Sequence, residues 1–306
     1  MIAPASDARA YDGRLVRKPT QPPPTHAIRR VLEHREVSVV FQPIVDLKTR
    51  KLFAYESLAR TSAPEFAGPM ELFAAAHDHG CTGELGRLLR EMSIAACPHH
   101  PLFINIHPSE LNDRYLVQPD DPLFRHDFDL YLEITEAVPL SHYHLCQSML
   151  HEVRGRGVHL VVDDLGAGYS NLKYIADLAP RLVKLDRSLI AGLTQQSRLF
   201  RLVTGIVELC TKLDAQVVAE GIETVEELEA VIDTGARYGQ GYLLARPALP
   251  LPAVTWPEQV TKARRLTRSI KVVRDPRAPH PGPRDPSQPP AIETAPPHPK
   301  SRTRTR

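Results

Sequence analysis

Four cysteines in 306 residues, Cys81, Cys97, Cys146 and Cys210, are too few and too widely spaced for a disulfide framework, and no CxxC pair is present. They read as reduced thiols, mostly small core residues. No apolar run approaches the length needed to span a bilayer, and the N-terminus has no apolar signal-like core. The expectation is a soluble, cytoplasmic protein with no membrane span. The scattered histidines show no metal-ligand spacing, and His77-Asp78 lacks the further His and Asp ligands that an HD-type hydrolase would need. Gly166-Ala167-Gly168 follows an apolar run, but Asn171 stands at the third glycine position of a dinucleotide loop and no Gly-Lys-Ser/Thr follows.

Net charge is also scarce, at +2, but it is segregated. Residues 262–306 hold twelve Lys/Arg against three Asp/Glu and carry +9, and residues 1–26 carry +2, so the body between them carries −9. An acidic body argues against broad nucleic-acid binding, whereas the basic tail suits an anionic partner. Residues 1–26 contain Pro22-Pro23-Pro24 and show no periodicity, and residues 251–306 are dominated towards their end by Pro, Arg, Ser and Thr. Both segments are expected to be largely disordered, flanking one globular domain over residues 27–250.

What the body does contain is a repeated pattern of apolar runs that stop at coordinating side chains. Ala54-Tyr55 leads into Glu56, Phe103-Ile104 into Asn105, Leu130-Tyr131-Leu132 into Glu133, and Val161-Val162 into Asp163-Asp164. Leu182-Val183 leads into Lys184, with Asp186 just beyond, and Val217-Val218-Ala219 into Glu220. In a (β/α)8 barrel, strand ends collect on one rim, where active sites form. Carboxylates crowded there repel one another, and a divalent metal, read here as a pair, resolves the crowding. Oxygen donors without Cys or His suit Mg²⁺ or Mn²⁺ rather than structural zinc, which points to phosphate chemistry.

Strand-like and helical segments alternate through the body, the signature of a β/α architecture. Val37 to Val45 and Leu52 to Leu58 are joined by the five-residue link Asp46 to Arg50, too short for a crossover helix, so these two strands are predicted to be antiparallel. Leu85, Leu88, Leu89, Met92 and Ala96 mark one helix face, and Leu145, Met149 and Val153 another. Leu199, Leu202, Val203, Ile206, Leu209 and Leu213 mark a third, and Leu228, Val231 and Ile232 a fourth. Tyr238 to Leu244 is predicted to close the barrel.

The ordered segments Phe41-Gln42-Pro43-Ile44, Glu56-Ser57-Leu58-Ala59-Arg60, Asn105-Ile106, Leu132 to Glu136, Asp163 to Ser170, Lys184-Leu185-Asp186, Ala219 to Thr224 and Gln240-Gly241-Tyr242 resemble the EAL-domain cyclic di-GMP phosphodiesterases, over Phe41 to Pro247. The resemblance implies a modified (β/α)8, TIM-like barrel with its first strand antiparallel. It also implies hydrolysis of cyclic di-GMP to linear pGpG with two Mg²⁺ or Mn²⁺ ions. By that likeness Glu56, Asn105, Glu133 and Asp163 hold one metal, and Asp163 bridges to a second held partly by Asp164. Lys184 orients or activates the water, and Glu220 acts as general base or completes the second metal site. Asp186 and Gln240 support the water and metal shell, with Gln240 also placed beside substrate. Arg60 contacts substrate phosphate, and Glu136 anchors the loop Gly166 to Asn171. A homodimer through the region beside that loop is implied as well.

Some positions depart from the family pattern. Ser57 stands for the usual Ala, Ala59 and Thr61 for the common Leu and Trp, and His77 for the usual Glu. None removes an implied metal ligand. The competing readings are an EAL-fold cyclic di-GMP receptor or interaction module with weak catalysis, and a metal hydrolase for another phosphodiester.

Overall fold

The computed structural model describes residues 25–111, 116, 118–135, 140–167, 172–258 and 260. The expectations for residues 1–24, for the tail beyond 260, for Glu136 and for positions 168–171 of the loop therefore lie outside the described residues.

Eight strands close into one barrel in sequence order: β1 (Val37–Asp46), β2 (Lys51–Thr61), β3 (Leu102–Asn105), β4 (Leu130–Thr135), β5 (His159–Leu165), β6 (Leu182–Leu185), β7 (Gln216–Ala219) and β8 (Tyr238–Gly239). β1 runs antiparallel to both of its neighbours, β2 and β8, and all other pairs are parallel. The short link works as predicted. Asp46 Oδ1 accepts from Lys48 N at 2.9 Å and Thr49 N at 2.8 Å, and Arg50 takes a left-handed φ of 61° to bring the chain back.

Eight helices accompany the strands among the described residues: α1 (Thr25–His34), α2 (Pro69–Asp78), α3 (Thr82–Ala96), α4 (Leu140–Gly155), α5 (Lys173–Leu178), α6 (Arg187–Ile190), α7 (Arg198–Lys212) and α8 (Val225–Thr234). Leu85, Leu88 and Leu89 of α3, Met149 and Val153 of α4, and Leu228 and Val231 of α8 are buried against the outer face of the barrel, as their spacing predicts. The end of α8 is sharp because Gly235 adopts φ 89°, and its start is held by a capping box between Thr224 and Glu227.

The structure corrects four local expectations. α1 has no counterpart in the sequence reading, yet Ile28 and Val31 are fully buried. On α7 the buried face is Val203, Val207 and Cys210, while Leu202 is 53% and Leu213 39% exposed. The apolar stripe of α7 is wider than the face the barrel covers. β5 runs on through Asp163 and Asp164 to Leu165 instead of stopping before them. β8 ends at Gly239 rather than continuing to Leu244, because the chain turns at Gly241, whose carbonyl accepts from Leu244 N and Ala245 N. A Cβ at Gly241 would lie 2.1 Å from the Ile222 carbonyl oxygen, so only glycine lets the two backbones meet there.

Past Pro250 the chain still packs on the barrel. Tyr55 donates its hydroxyl to the Pro252 carbonyl at 3.0 Å, Thr255 N bonds the Leu244 carbonyl at 2.8 Å, and Val260 is fully buried.

Candidate active site at the barrel rim

The barrel interior is built in layers by the period of two along each strand. Its lower layer is apolar: Ile44, Ala54, Phe103, Tyr131, Val161, Leu182, Val218 and Tyr238 form one buried cluster, closed by rings such as Phe53 stacked on Tyr238 at 4.0 Å. Two residues further towards the rim, every strand places a polar group: Glu56, Asn105, Glu133, Asp163, Lys184, Glu220 and Gln240. β1 runs the other way and supplies Gln42, two residues before Ile44.

Lys184 is the hub of this polar layer. Its Nζ lies 2.5 Å from Glu133 Oε1, 2.6 Å from Glu220 Oε1, 3.0 Å from Asp163 Oδ1 and 3.3 Å from Glu56 Oε1. An ammonium has three N–H donors and one charge, so it can satisfy neither the hydrogen bonding nor the charge of four carboxylates. Burial opposes the ammonium, but the surrounding carboxylates outweigh it and hold Lys184 protonated well above the usual lysine range. Burial, with Glu56 close by, pushes Glu133 well above the carboxylate range. Burial also takes Glu220 up to about 8, with Lys184 offsetting only part of the rise. Glu56 is the exception. Its burial is overcome by Lys184 and by hydrogen bonds from Gln240 and Asn105, so its pKa falls.

Asp164 joins Asp163 by a local break of the strand rule. Neighbours on a strand point to opposite faces, but the β5–β6 register slips between Val162 and Leu165 and Asp164 takes φ 59°. The result brings oxygens of Asp163, Asp164 and Glu220 within 4.8 Å of one another. Burial, followed by the charge of Asp163, raises Asp164 to about 6.

A cavity of about 460 Å³ opens beside this cluster, with Asn105, Asp163, Asp164 and Arg60 among its lining residues. Arg60 is exposed and its guanidinium rests on the Ala59 carbonyl at 2.8 Å. Asn105 donates to Glu56 Oε1 at 3.2 Å. Gln240 is buried and lies behind Glu56, donating to Glu56 Oε2 at 2.6 Å and to Gln42 Oε1 at 3.0 Å. Gln42 in turn donates to the Ala245 carbonyl at 3.0 Å. Asp186 caps α6, accepting from Ser188 N at 2.8 Å, and faces Asp164 closely enough to raise its pKa further. Glu223 pairs with Arg187, while Thr224 caps α8. Ser57, the departure beside Glu56, lines this cavity together with Ser93 of α3, with which it shares a 2.6 Å hydrogen bond.

Two features of the site were given no role by the sequence. One is Gln42, part of the Phe41-Gln42-Pro43-Ile44 motif, which braces Gln240. The other is a buried ion cluster behind the cavity: Arg90 of α3 donates to Asp121 through Nε at 3.2 Å and Nη2 at 2.9 Å, and to Glu110 Oε2 at 2.5 Å. The other Glu110 oxygen accepts from His107 N at 3.0 Å, which ties this cluster to the loop after Asn105.

The donor set fits hard divalent cations. Glu133 Oε2 is buried with no hydrogen-bond donor among the described residues, and the layer is rich in carboxylate and amide oxygens with one lysine to neutralise it. Glu56, Asn105, Glu133, Asp163, Asp164 and Glu220 are the residues placed to hold such ions.

The model of the EAL domain family matches residues 25–247. A cyclic di-GMP phosphodiesterase of Pseudomonas aeruginosa is 31% identical over 231 residues, covering 71% of this chain and 39% of that protein. An uncharacterized protein of Sinorhizobium fredii is 32% identical over 237 residues, covering 74% of this chain and 28% of that protein. This chain thus spans less than half the length of these relatives. Among solved structures, the PaMucR phosphodiesterase in complex with cyclic di-GMP superposes with a TM-score of 0.65 at 26% identity, covering 73% of this chain and 96% of that one. A manganese and cyclic di-GMP complex of BlrP1 from Klebsiella pneumoniae gives 0.59 at 28% identity, covering 70% of this chain and 56% of that one.

Proposed function

The chain belongs to the EAL-domain family, and from that membership we propose that it hydrolyses one phosphodiester bond of cyclic di-GMP, releasing linear pGpG. The observation that carries the reading is the ring of four carboxylates around Lys184, one of which, Asp163, lines a cavity shared with Arg60. Bound to Glu56, Asn105, Glu133, Asp163, Asp164 and Glu220, two Mg²⁺ or Mn²⁺ ions would supply Lewis acidity to the phosphoryl oxygens and lower the pKa of the attacking water.

The chain's own residues do the rest. Lys184, held protonated, cannot take a proton; it orients the water oxygen and offsets negative charge as the water attacks phosphorus. Glu220 lies at the exposed side of the cluster, with 19% of its side chain accessible, and in its ionised form accepts the proton that the water releases. Arg60 steadies a substrate phosphate from the cavity wall. The P–O bond to the 3′-oxygen breaks as the new P–O bond forms, and the leaving oxygen takes a proton from solvent at the rim. Gln240, with Gln42 behind it, fixes the carboxylate plane of Glu56, and Asp186 stiffens the turn after Lys184 by capping α6. Retention of the whole oxygen-donor layer favours an enzyme over a receptor that only binds. We also assign the basic segment 262–306 to an anionic partner and the working form to a homodimer, which light scattering tests.

The test is incubation of the purified chain with cyclic di-GMP in Mg²⁺, in Mn²⁺ and in chelator, resolving pGpG from substrate by chromatography. Metal-dependent pGpG supports the proposal. Binding without turnover moves the chain to the receptor class.

A further inference from the structure

The cavity beside the carboxylate layer is lined by polar groups, Asn105, Asp163 and Asp164 among them, and by apolar side chains such as Leu58 and Ile106; Phe73 and His107 both line it. Their rings are 5.8 Å apart and inclined by only 5°, and the His77 ring lies 5.7 Å from His107 on another side.

His107 is held unusually firmly for a loop residue. Its backbone N–H donates to Glu110 Oε1 at 3.0 Å, and Glu110 is gripped by the buried Arg90. Its Nδ1 lies 2.7 Å from Ser109 Oγ and accepts from Ser109 N at 3.3 Å. A ring nitrogen that accepts from a backbone N–H carries a lone pair, so the ring proton is assigned to Nε2. Nε2 has no hydrogen-bond partner among the described residues. The Phe73 and His107 rings thus offer the cavity flat aromatic walls and one fixed N–H donor, which suits a purine base and not a phosphate.

Resting on the cyclic di-GMP reading above, we propose that His107 is a specificity-determining residue, donating from Nε2 to O6 of a guanine seated against Phe73. Guanine presents acceptors at both O6 and N7, whereas adenine replaces the O6 acceptor with an N6 amino donor. A fixed donor at this point therefore favours guanine, since adenine would set two donors against each other. The Arg90–Glu110–Asp121 cluster serves as the positioning element that holds the donor in place.

The experiment compares cyclic di-GMP with cyclic di-AMP in the wild-type chain, in His107→Phe, which keeps a flat ring but no donor, and in His107→Gln, which keeps an N–H. Thermal melts accompany each variant. In His107→Phe the KM for cyclic di-GMP is expected to rise about tenfold, the effect of one lost hydrogen bond. Its kcat should change by less than about threefold, and the preference over cyclic di-AMP should shrink by a similar factor to the KM rise. His107→Gln should recover part of both. A folded, active His107→Phe with unchanged KM and unchanged base preference would overturn the inference and leave the phosphodiesterase reading standing. So would a loss confined to kcat. A wild-type chain that neither binds nor cleaves cyclic di-GMP would remove the underlying reading, and this inference with it.

Discussion

Among the described residues two cations are sealed inside the protein, Arg90 and Lys184, each with a side chain 1% exposed. Arg90 meets two carboxylates, and both find other donors: Glu110 takes the His107 N–H and Asp121 takes the Leu123 N–H. Lys184 meets four carboxylates and leaves Glu133 Oε2 without any donor among the described residues. The Arg90 cluster is closed in its hydrogen bonds, although one guanidinium faces two carboxylates. The Lys184 cluster is further short of positive charge, and burial raises Glu133 and Glu220 so that they keep protons until a cation arrives. The difference lies in where the elements put the groups. Arg90 reaches irregular turns that can bend to meet it, whereas Lys184 sits in a rigid barrel layer that no side chain can leave.

The largest effect that probes this contrast is Asp163→Asn. It removes one charge from the open cluster, and hydrolysis of cyclic di-GMP should fall by about a hundred- to a thousandfold, while circular dichroism and the melting profile stay near wild type. Next come the two cations. Arg90→Met strands two buried carboxylates and should cost about 3–5 kcal/mol of stability, with no recovery in Mg²⁺. Lys184→Met should also destabilise the chelated protein, but here added Mg²⁺ should restore much of the loss, because the vacated charge lies within reach of the metal ligands. Equal metal rescue of the two variants in denaturant titrations would erase the distinction.

A smaller and reversible effect comes from pH. Folding raises Glu220 from an ordinary 4.5 to about 8 and Asp164 from 3.8 to about 6. Between those values the folded chain keeps protons that the unfolded chain has released, so stability falls as pH rises through the window and levels off above it. Melts in chelator should therefore drop between about pH 5 and about pH 8, and saturating Mg²⁺ should flatten the slope, because metal binding replaces those protons. A chelated protein that gains stability over the same range would contradict the open-cluster description. Smallest is Gln42→Leu, which leaves Gln240 and Glu56 less firmly held. It should lower kcat/KM about tenfold through weaker metal affinity, a loss that raising the Mg²⁺ concentration recovers.

The rim was legible in the sequence because a parallel barrel strand writes its chemistry at its end. Leu182-Val183-Lys184 and Val218-Ala219-Glu220 each step from the apolar floor to the polar layer in two residues. Gln42 escaped that rule because β1 runs backwards, so its rim residue precedes its floor residue, Ile44. The antiparallel direction of β1 was itself readable, from a link too short for a helix. Asp164 was readable as a carboxylate, but not as a neighbour of Asp163 on the same face, since a register slip and one left-handed residue decide that. Arg90, Glu110 and Asp121 left no signal because their partners are 20 and 31 residues away, on turns with no period. The expected loop anchor, Glu136, lies outside the described residues.

The apolar layer beneath the rim has a consequence for traffic. Phe103, Tyr131 and Tyr238 pack into the barrel beneath the polar layer, so among the described residues the site is approached from the rim side. Whatever enters by that mouth, whether ion, water or ligand, departs past the side chains that admitted it. Under the proposed hydrolysis, a departing fragment and the next arrival share that mouth. Changes in the side chains around that mouth can therefore tune the rate without touching the carboxylates below.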